Sequence, residues 1–280
     1  MQKQFSFYKN YELLDCGDLR RLERFGDIVI DRPAKQADFA KKLSKNTWDK
    51  ADAVFVGDWS FNKKLPESFV LDLGPAKMEL KFTASGQIGI FPEQGVNWEW
   101  LLKLSQGLKK PVSTINCFAY TGASSLFASL LGEVCHVDGS KPAVKWASDN
   151  VTLSGLQDKS IRWIVEDVLT YMKREVKRGK KYNGFILDPP AFGRGKDGKV
   201  WSLQKNLDEL IELSSELCND DIKFFILSAH DPQIAEEDLR EVLLDVKGIE
   251  SENIETLKLE IESKAGNSLP CGVCARFKNC

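Results

Sequence analysis

From about Val112 onward the chain alternates between short apolar runs and longer amphipathic segments. This alternation constrains the fold more than any other feature, because parallel strands need long crossovers and helices supply them. VSTINCF, EVCHVDGS, SIRWIVED, YNGFILDPP and KFFILSAH read as strands. ASSLFASLLG, KPAVKWASDNVTLSG, VLTYMKREVKRG, SLQKNLDELIELSSELC and EEDLREVLLDV read as helices. In the fourth of these, Leu203, Leu207, Leu210, Ile211 and Leu217 share one helical face. ETLKLEIESK and LPCGVCARF then read as two strands joined across Gly266-Asn267-Ser268, a hairpin signal. The expectation is an α/β fold: a doubly wound, Rossmann-like sheet, parallel except for one antiparallel strand.

Up to about residue 92 the pattern differs. YELLDCGD, RLERFGDIVIDRP, AVFVGDW, SFVLDLG, MELKFTA and QIGIF all read as extended, with Gly, Asp and Pro between them. The expected organisation is therefore a small, mostly-β domain over 1–92 and an α/β domain over 93–280. No internal repeat is visible.

Composition excludes several classes. At 42% hydrophobic and 29% charged, with a net charge of −2, the chain can bury a core and is not a polyanion-coating protein. A local nucleic-acid surface stays open. No apolar run reaches the roughly 18 residues of a membrane span, and MQKQFSFYKNYELLD lacks the layout of a secretion signal. No membrane partner and a cytoplasmic location are expected. The cysteines are odd in number and scattered, which reads as reduced thiols. Cys271 and Cys274 form one C-x-x-C, half a zinc site with no second pair to complete it, so no metal is expected.

In a doubly wound sheet, ligands bind at the carboxyl ends of the strands. The first strand is followed by Phe118-Ala119-Tyr120-Thr121-Gly122, where one glycine lets backbone N–H groups approach a ligand. The second ends at Asp138-Gly139-Ser140; the acid suits two ribose hydroxyls, and Ser140 is the better helix cap. The third ends at Glu166-Asp167-Val168, an acid for an adenine amine or a cap for the next helix. The fourth ends at Asp188-Pro189-Pro190-Ala191-Phe192. Two prolines delay the next helix and leave the Pro189 carbonyl outside any ladder. An acid beside a free carbonyl can orient a planar N–H group, and an aromatic just beyond can stack on a ring. Phe192 read as structure would sit in the core.

NCFAYTGASSLFAS, HVDGSKPAVKWASDNVTLSGL, VEDVL and ILDPPAFGRG, in that order, resemble class I S-adenosylmethionine-dependent methyltransferases. The resemblance is strongest to the branch holding bacterial large-subunit ribosomal RNA methyltransferases of the cytosine C5 and guanine N7 types, and it runs from about Gly89 to the C-terminus. It implies a seven-stranded sheet, S-adenosylmethionine as cofactor and RNA as substrate. It implies that Gly122 and the Phe118–Thr121 backbone line the methionine part, that Asp138, Gly139 and Ser140 meet the ribose, and that Asp167 and Val168 lie at the adenine. Asp188, Pro189 and Phe192 would meet the methyl acceptor, with Asp188 also near the sulfonium. FPEQGVNWEWLL resembles the segment that closes over the cofactor, so Gln94 and Asn97 would touch its polar end. The cytosine-modifying members carry a cysteine after the fifth strand, to add a thiolate to the ring. Here that place reads Leu227-Ser228-Ala229-His230, which argues against C5 unless Cys271 substitutes. The inserted Ala191 departs from the amino-group methylating pattern. A G-x-G-x-x-G is absent, which argues against a dinucleotide oxidoreductase. A methyltransferase for a small molecule or protein, and a non-catalytic RNA-binding relative, are the alternatives.

Two basic runs bear on RNA. Lys173, Arg174, Lys177, Arg178, Lys180 and Lys181 read as a solvated helix end, with cations favourable at the C-terminus. Arg194, Lys196 and Lys199 lie in a glycine-rich stretch on the catalytic edge and are the better phosphate contacts. Of the two histidines, His136 reads as core and His230 as a residue able to line the site. The N-terminal domain suits either substrate recognition or a stabilising role.

Overall fold

The computed structural model describes residues 7–108, 110–194 and 200–279. The chain forms two compact units. The first comprises 1–95 with Leu259–Cys271, and the second Val96–Lys258 with Gly272–Cys280.

In the first unit, α1 (Phe7–Asn10) leads into β1 (Tyr11–Gly17), β2 (Arg20–Phe25) and β3 (Ile28–Pro33), an antiparallel meander. Gly26, at φ 57°, makes the tight turn between β2 and β3. After α2 (Lys45–Trp48) come β4 (Ala53–Val56), parallel to β3, and β5 (Asp58–Phe61), which complete a five-stranded sheet in sequential order. β6 (Ser68–Asp72) and β7 (Lys77–Lys81) form a separate hairpin. QIGIF, expected as a strand, is not one. It makes isolated bonds, Lys81 N–H to the Ile88 carbonyl and Thr83 N–H to the Gln87 carbonyl, and the left-handed backbone at Gly86 and Gly89 breaks any ladder.

The second unit follows the alternation seen in the sequence. α3 (Gly95–Gly107) precedes β8 (Val112–Cys117), α4 (Ala123–Ala128), β9 (Gly132–Asp138), α5 (Lys141–Ser154), β10 (Ile161–Val165), α6 (Val168–Lys177) and β11 (Gly184–Leu187). A short hairpin, β12 (Phe192–Arg194) and β13 (Val200–Ser202), stands where only a loop was expected. Then come α7 (Leu203–Leu217), β14 (Phe224–Ala229), α8 (Glu236–Leu244), β15 (Ile254–Glu262) and β16 (Ser268–Lys278). The strands form one seven-stranded sheet in the order β10-β9-β8-β11-β14-β16-β15. β8 to β11 and β14 run parallel, and β16 is antiparallel to β14. Central strands β11 and β14 are buried throughout, as helices on both faces require. The α7 face named from periodicity (Leu203, Leu207, Leu210, Ile211, Leu217) lies in the same core as Ile115, Phe185 and Phe225. Between β8 and β11 the strand order reverses, which opens a crevice at their carboxyl ends.

No helix among the described residues is long and apolar enough to cross a membrane.

Candidate active site

The first strand end carries unusual backbone. Phe118, Tyr120 and Gly122 all have positive φ, at 57°, 48° and 90°. Left-handed backbone costs a residue with a Cβ on the order of 1–2 kcal/mol, so Phe118 and Tyr120 are held there by their surroundings. Tyr120 N–H donates to Asp138 Oδ2 at 2.8 Å, and Ala119 N–H to the Val137 carbonyl at 3.2 Å. The Gly122 N–H donates to the Ala119 carbonyl at 3.0 Å, so the turn is closed by its own backbone as well as by β9. Gly122 is required twice over: by its φ, and because a Cβ there would stand 2.8 Å from the Ala147 Cβ on α5.

Asp138 closes β9. Its Oδ1 accepts from Ser140 N–H at 2.8 Å, and its Oδ2 takes the Tyr120 bond. A carboxylate has about four acceptor positions, so each oxygen keeps a lone pair after binding one N–H. Two oxygens with one open position each match two vicinal hydroxyls. Burial raises the Asp138 carboxyl above the usual range, and the Ser140 and Tyr120 N–H groups oppose that rise. Ser140, not Asp138, caps α5 by accepting from Ala143 N–H at 3.3 Å. Gly139 has open space around it: a Cβ there would meet only the Glu166 carbonyl, at 3.9 Å.

Asp167 caps α6. Its Oδ1 accepts from Thr170 N–H at 3.0 Å and from the Thr170 hydroxyl at 2.6 Å. Val168 is a core residue of that helix. Asn97, in the first turn of α3, has its amide against Cys274 Sγ and accepts from Arg276 Nη1 at 3.3 Å. Gln94 is buried within the first unit.

At the fourth strand end, Asp188 Oδ1 lies 2.8 Å from His230 Nε2. The Pro190 carbonyl accepts from Trp201 Nε1 at 2.6 Å, and the Ala191 carbonyl from Leu203 N–H at 3.0 Å. Among the described residues no donor reaches the Pro189 carbonyl, consistent with an open acceptor beside Asp188. Phe192 opens β12 and is 57% exposed, so it is not the core residue that a purely structural role requires. Trp201 packs its ring 4.7 Å from that of Phe118 while bonding Pro190, and so ties the first and fourth strand ends together. The sequence reading missed both Trp201 and the Asp188–His230 pair. The one available signal was an aromatic and a histidine at opposite ends of two strand-end segments.

His136 is core, as expected. It is fully buried, its Nδ1 sits 2.9 Å from Ser125 Oγ, and burial pushes it down to about 3. Cys274 is buried and its thiol is pushed up to about 12, chiefly by desolvation. Burial, then the charge of Glu93, pushes Cys271 in the first unit higher still. Neither thiol is a thiolate at neutral pH, so neither is equipped to add to a ring. Among the described residues no three His, Cys, Asp or Glu side chains group as metal ligands.

Among the described residues, three of the six cations of the first basic run are engaged in ion pairs: Lys173 with Glu209, Arg174 with Glu166 and Arg178 with Glu175. Lys196 and Lys199 of the second lie outside the described residues, as does the side chain of Arg194.

No protein-family model matches the sequence. In structure the chain is similar to an S-adenosylmethionine-dependent methyltransferase from Agrobacterium tumefaciens, with 32% identity and a TM-score of 0.87 over 96% of this chain and 90% of that one. In sequence it is similar to the ribosomal RNA large subunit methyltransferase K/L of Shewanella frigidimarina, 28% identical over 197 residues, covering 68% of this chain and 26% of that protein. It is also similar to the ribosomal RNA large subunit methyltransferase I of Aeromonas salmonicida, 28% identical over 132 residues, 46% of this chain and 32% of that protein. The chain spans about a quarter to a third of the length of these curated relatives.

Proposed function

Because the chain belongs to the S-adenosylmethionine-dependent methyltransferases, we propose that it methylates a base nitrogen of RNA, of the kind found in large-subunit ribosomal RNA. The observation that carries this reading is the placement of Asp138 and Asp188 at the carboxyl ends of β9 and β11, the two strands that pair with β8 beside the reversal of strand order. One carboxylate keeps two adjacent acceptor positions for a ribose. The other stands beside an open carbonyl.

The residues fit the cofactor by the chemistry of their donors and acceptors. Asp138 takes the ribose hydroxyls, with Gly139 leaving room and Ser140 holding the carboxylate. The turn formed by Phe118, Ala119, Tyr120, Thr121 and Gly122 is assigned to the methionine part. Asp167 and Val168 flank the adenine, and Asn97 of the second unit is assigned to the polar end. When bound, the cofactor supplies a methyl group already activated on a sulfonium. The protein's task is then alignment. Asp188 and the Pro189 carbonyl accept from the acceptor's N–H bonds and aim its lone pair, and Phe192 offers an exposed ring for stacking. A nitrogen acceptor is favoured over cytosine C5 because both candidate thiols are held protonated. RNA is favoured as substrate class by the names of the ribosomal RNA relatives. The first unit is assigned to substrate recognition.

Tritiated methyl transfer to total RNA, followed by nucleoside analysis, tests this. Label on a base nitrogen is expected, falling about 100-fold or more in Asp188→Ala, with S-adenosylhomocysteine binding kept within about threefold. Label only in protein or small molecules overturns the RNA assignment. Unchanged transfer by Asp188→Ala overturns the role of that residue.

A further inference from the structure

We infer that His230 is a positioning residue for methyl transfer, acting through Asp188; the inference rests on the reading that Asp188 meets the acceptor. An ionised carboxylate only accepts hydrogen bonds. The 2.8 Å contact between Asp188 Oδ1 and His230 Nε2 therefore requires the hydrogen on Nε2. That bond takes one acceptor position on Oδ1 and fixes the direction in which Oδ2 meets the acceptor.

Asp188 needs such an anchor. The ladder of β11 ends at Leu187, the Asp188 N–H reaches the Cys117 carbonyl only at 3.4 Å, and the two residues that follow have no N–H. The backbone by itself leaves the carboxylate's direction undetermined. His230 is well placed to decide it. It directly follows β14, whose last residue, Ala229, pairs with Val273 on β16. The neighbouring Gly272 has φ 132°, and a Cβ there would lie 2.2 Å from the Ala229 carbonyl oxygen and 3.1 Å from His230 Nδ1. Only glycine permits this approach, and the strand so close behind the ring limits where the imidazole can turn. On the other side, Asp231 is held by Gln204 Nε2 at 3.2 Å and by Gln233 N–H at 3.0 Å. Both groups of the pair remain about a quarter exposed, unlike the sealed His136, so the pair faces the edge where a substrate arrives.

The experiment has a structural arm and a kinetic arm. With only two histidines in the chain, nitrogen NMR of the imidazoles is assignable. His230 is expected as the Nε2–H tautomer in the wild type, with that preference lost in Asp188→Ala. An Nδ1–H tautomer in the wild type overturns the proposal. In the kinetic arm, His230→Leu and His230→Asn are expected to lower kcat about 10- to 100-fold, with KM for the cofactor and the melting temperature little changed. Asn is the folding control, being polar but too short to reach Asp188. His230→Gln, whose amide N–H can stand where Nε2 does, is expected to recover most of the rate. Wild-type kcat in the Asn variant, or a Gln variant no better than Asn, overturns the role of His230. If Asp188→Ala itself keeps full activity, the reading of Asp188 fails instead.

Discussion

Two carboxylates, the fully buried Glu23 of the first unit and the half-buried Asp138 of the second, differ in what surrounds them. Glu23, on β2 of the first unit, accepts from Tyr11 Oη at 2.9 Å and from Arg32 Nε at 2.6 Å, with Arg21 Nε 3.4 Å away. Burial works to raise it, but the Arg21 and Arg32 charges and the hydrogen bonds win, and its carboxyl is held low. Among the described residues Asp138 accepts from two backbone N–H groups, and burial wins, so its carboxyl is held high. The first acid is saturated by its own chain. The second is half-buried, under-compensated and still able to accept, which is the condition of a group awaiting a ligand. Burial of an acid thus says little about function until its partners are counted.

The largest effect that can break this contrast is at Glu23. Glu23→Ala strands Arg21 and Arg32 without their counter-charge and is expected to cost about 3–5 kcal/mol, measured by urea unfolding, with S-adenosylhomocysteine affinity of the folded protein unchanged. An equal loss of affinity would erase the distinction between the two acids. Asp138→Ala should do the opposite. S-adenosylhomocysteine binding by calorimetry is expected to weaken about 10- to 100-fold, equivalent to about 1.4–2.7 kcal/mol, while the unliganded protein loses no more than about 1.5 kcal/mol.

The smallest effect sharpens the rule on a third acid. Glu175, on α6, accepts from Arg162, Tyr182 and Arg178 at 2.6, 2.7 and 2.9 Å. Burial opposes its ionisation, yet those bonds hold it at about 2. A depressed carboxyl stabilises the fold above its unfolded value of about 4.3, and that contribution fades as pH falls toward 2. Glu175→Gln is therefore expected to cost about 1–2 kcal/mol at pH 7, discounted because Arg162 and Arg178 are half in solvent. The gap to the wild type should close between about pH 5 and pH 2. A gap independent of pH would mean that packing, not charge, is what Glu175 contributes.

Much of the candidate site could be named from the sequence because its parts are local. Gly122, Asp138-Gly139-Ser140 and Asp167 each follow a strand within a few residues, so the periodicity that locates the strand also locates the residue. The division of labour between Asp138 and Ser140 followed from helix capping alone. Asp167 was ambiguous for the same reason, and its side chain is in fact bonded to Thr170. The β12–β13 hairpin was not legible, since a glycine-rich stretch carries no apolar alternation to announce its pairing.

The sequence by itself determined the strands of the seven-stranded sheet, the helices between them and which residues stand at its carboxyl edge, because burying one face of each element demands a period that the residues display. It could not determine which strand ends become neighbours. Asp188 and His230 are 42 residues apart in the chain and meet because β11 pairs with β14. Trp201 reaches Pro190 and Phe118 because the chain doubles back after the prolines. Such contacts follow from strand order and from one close approach at Gly272. Those are properties of the folded sheet, where sequence separation no longer measures distance.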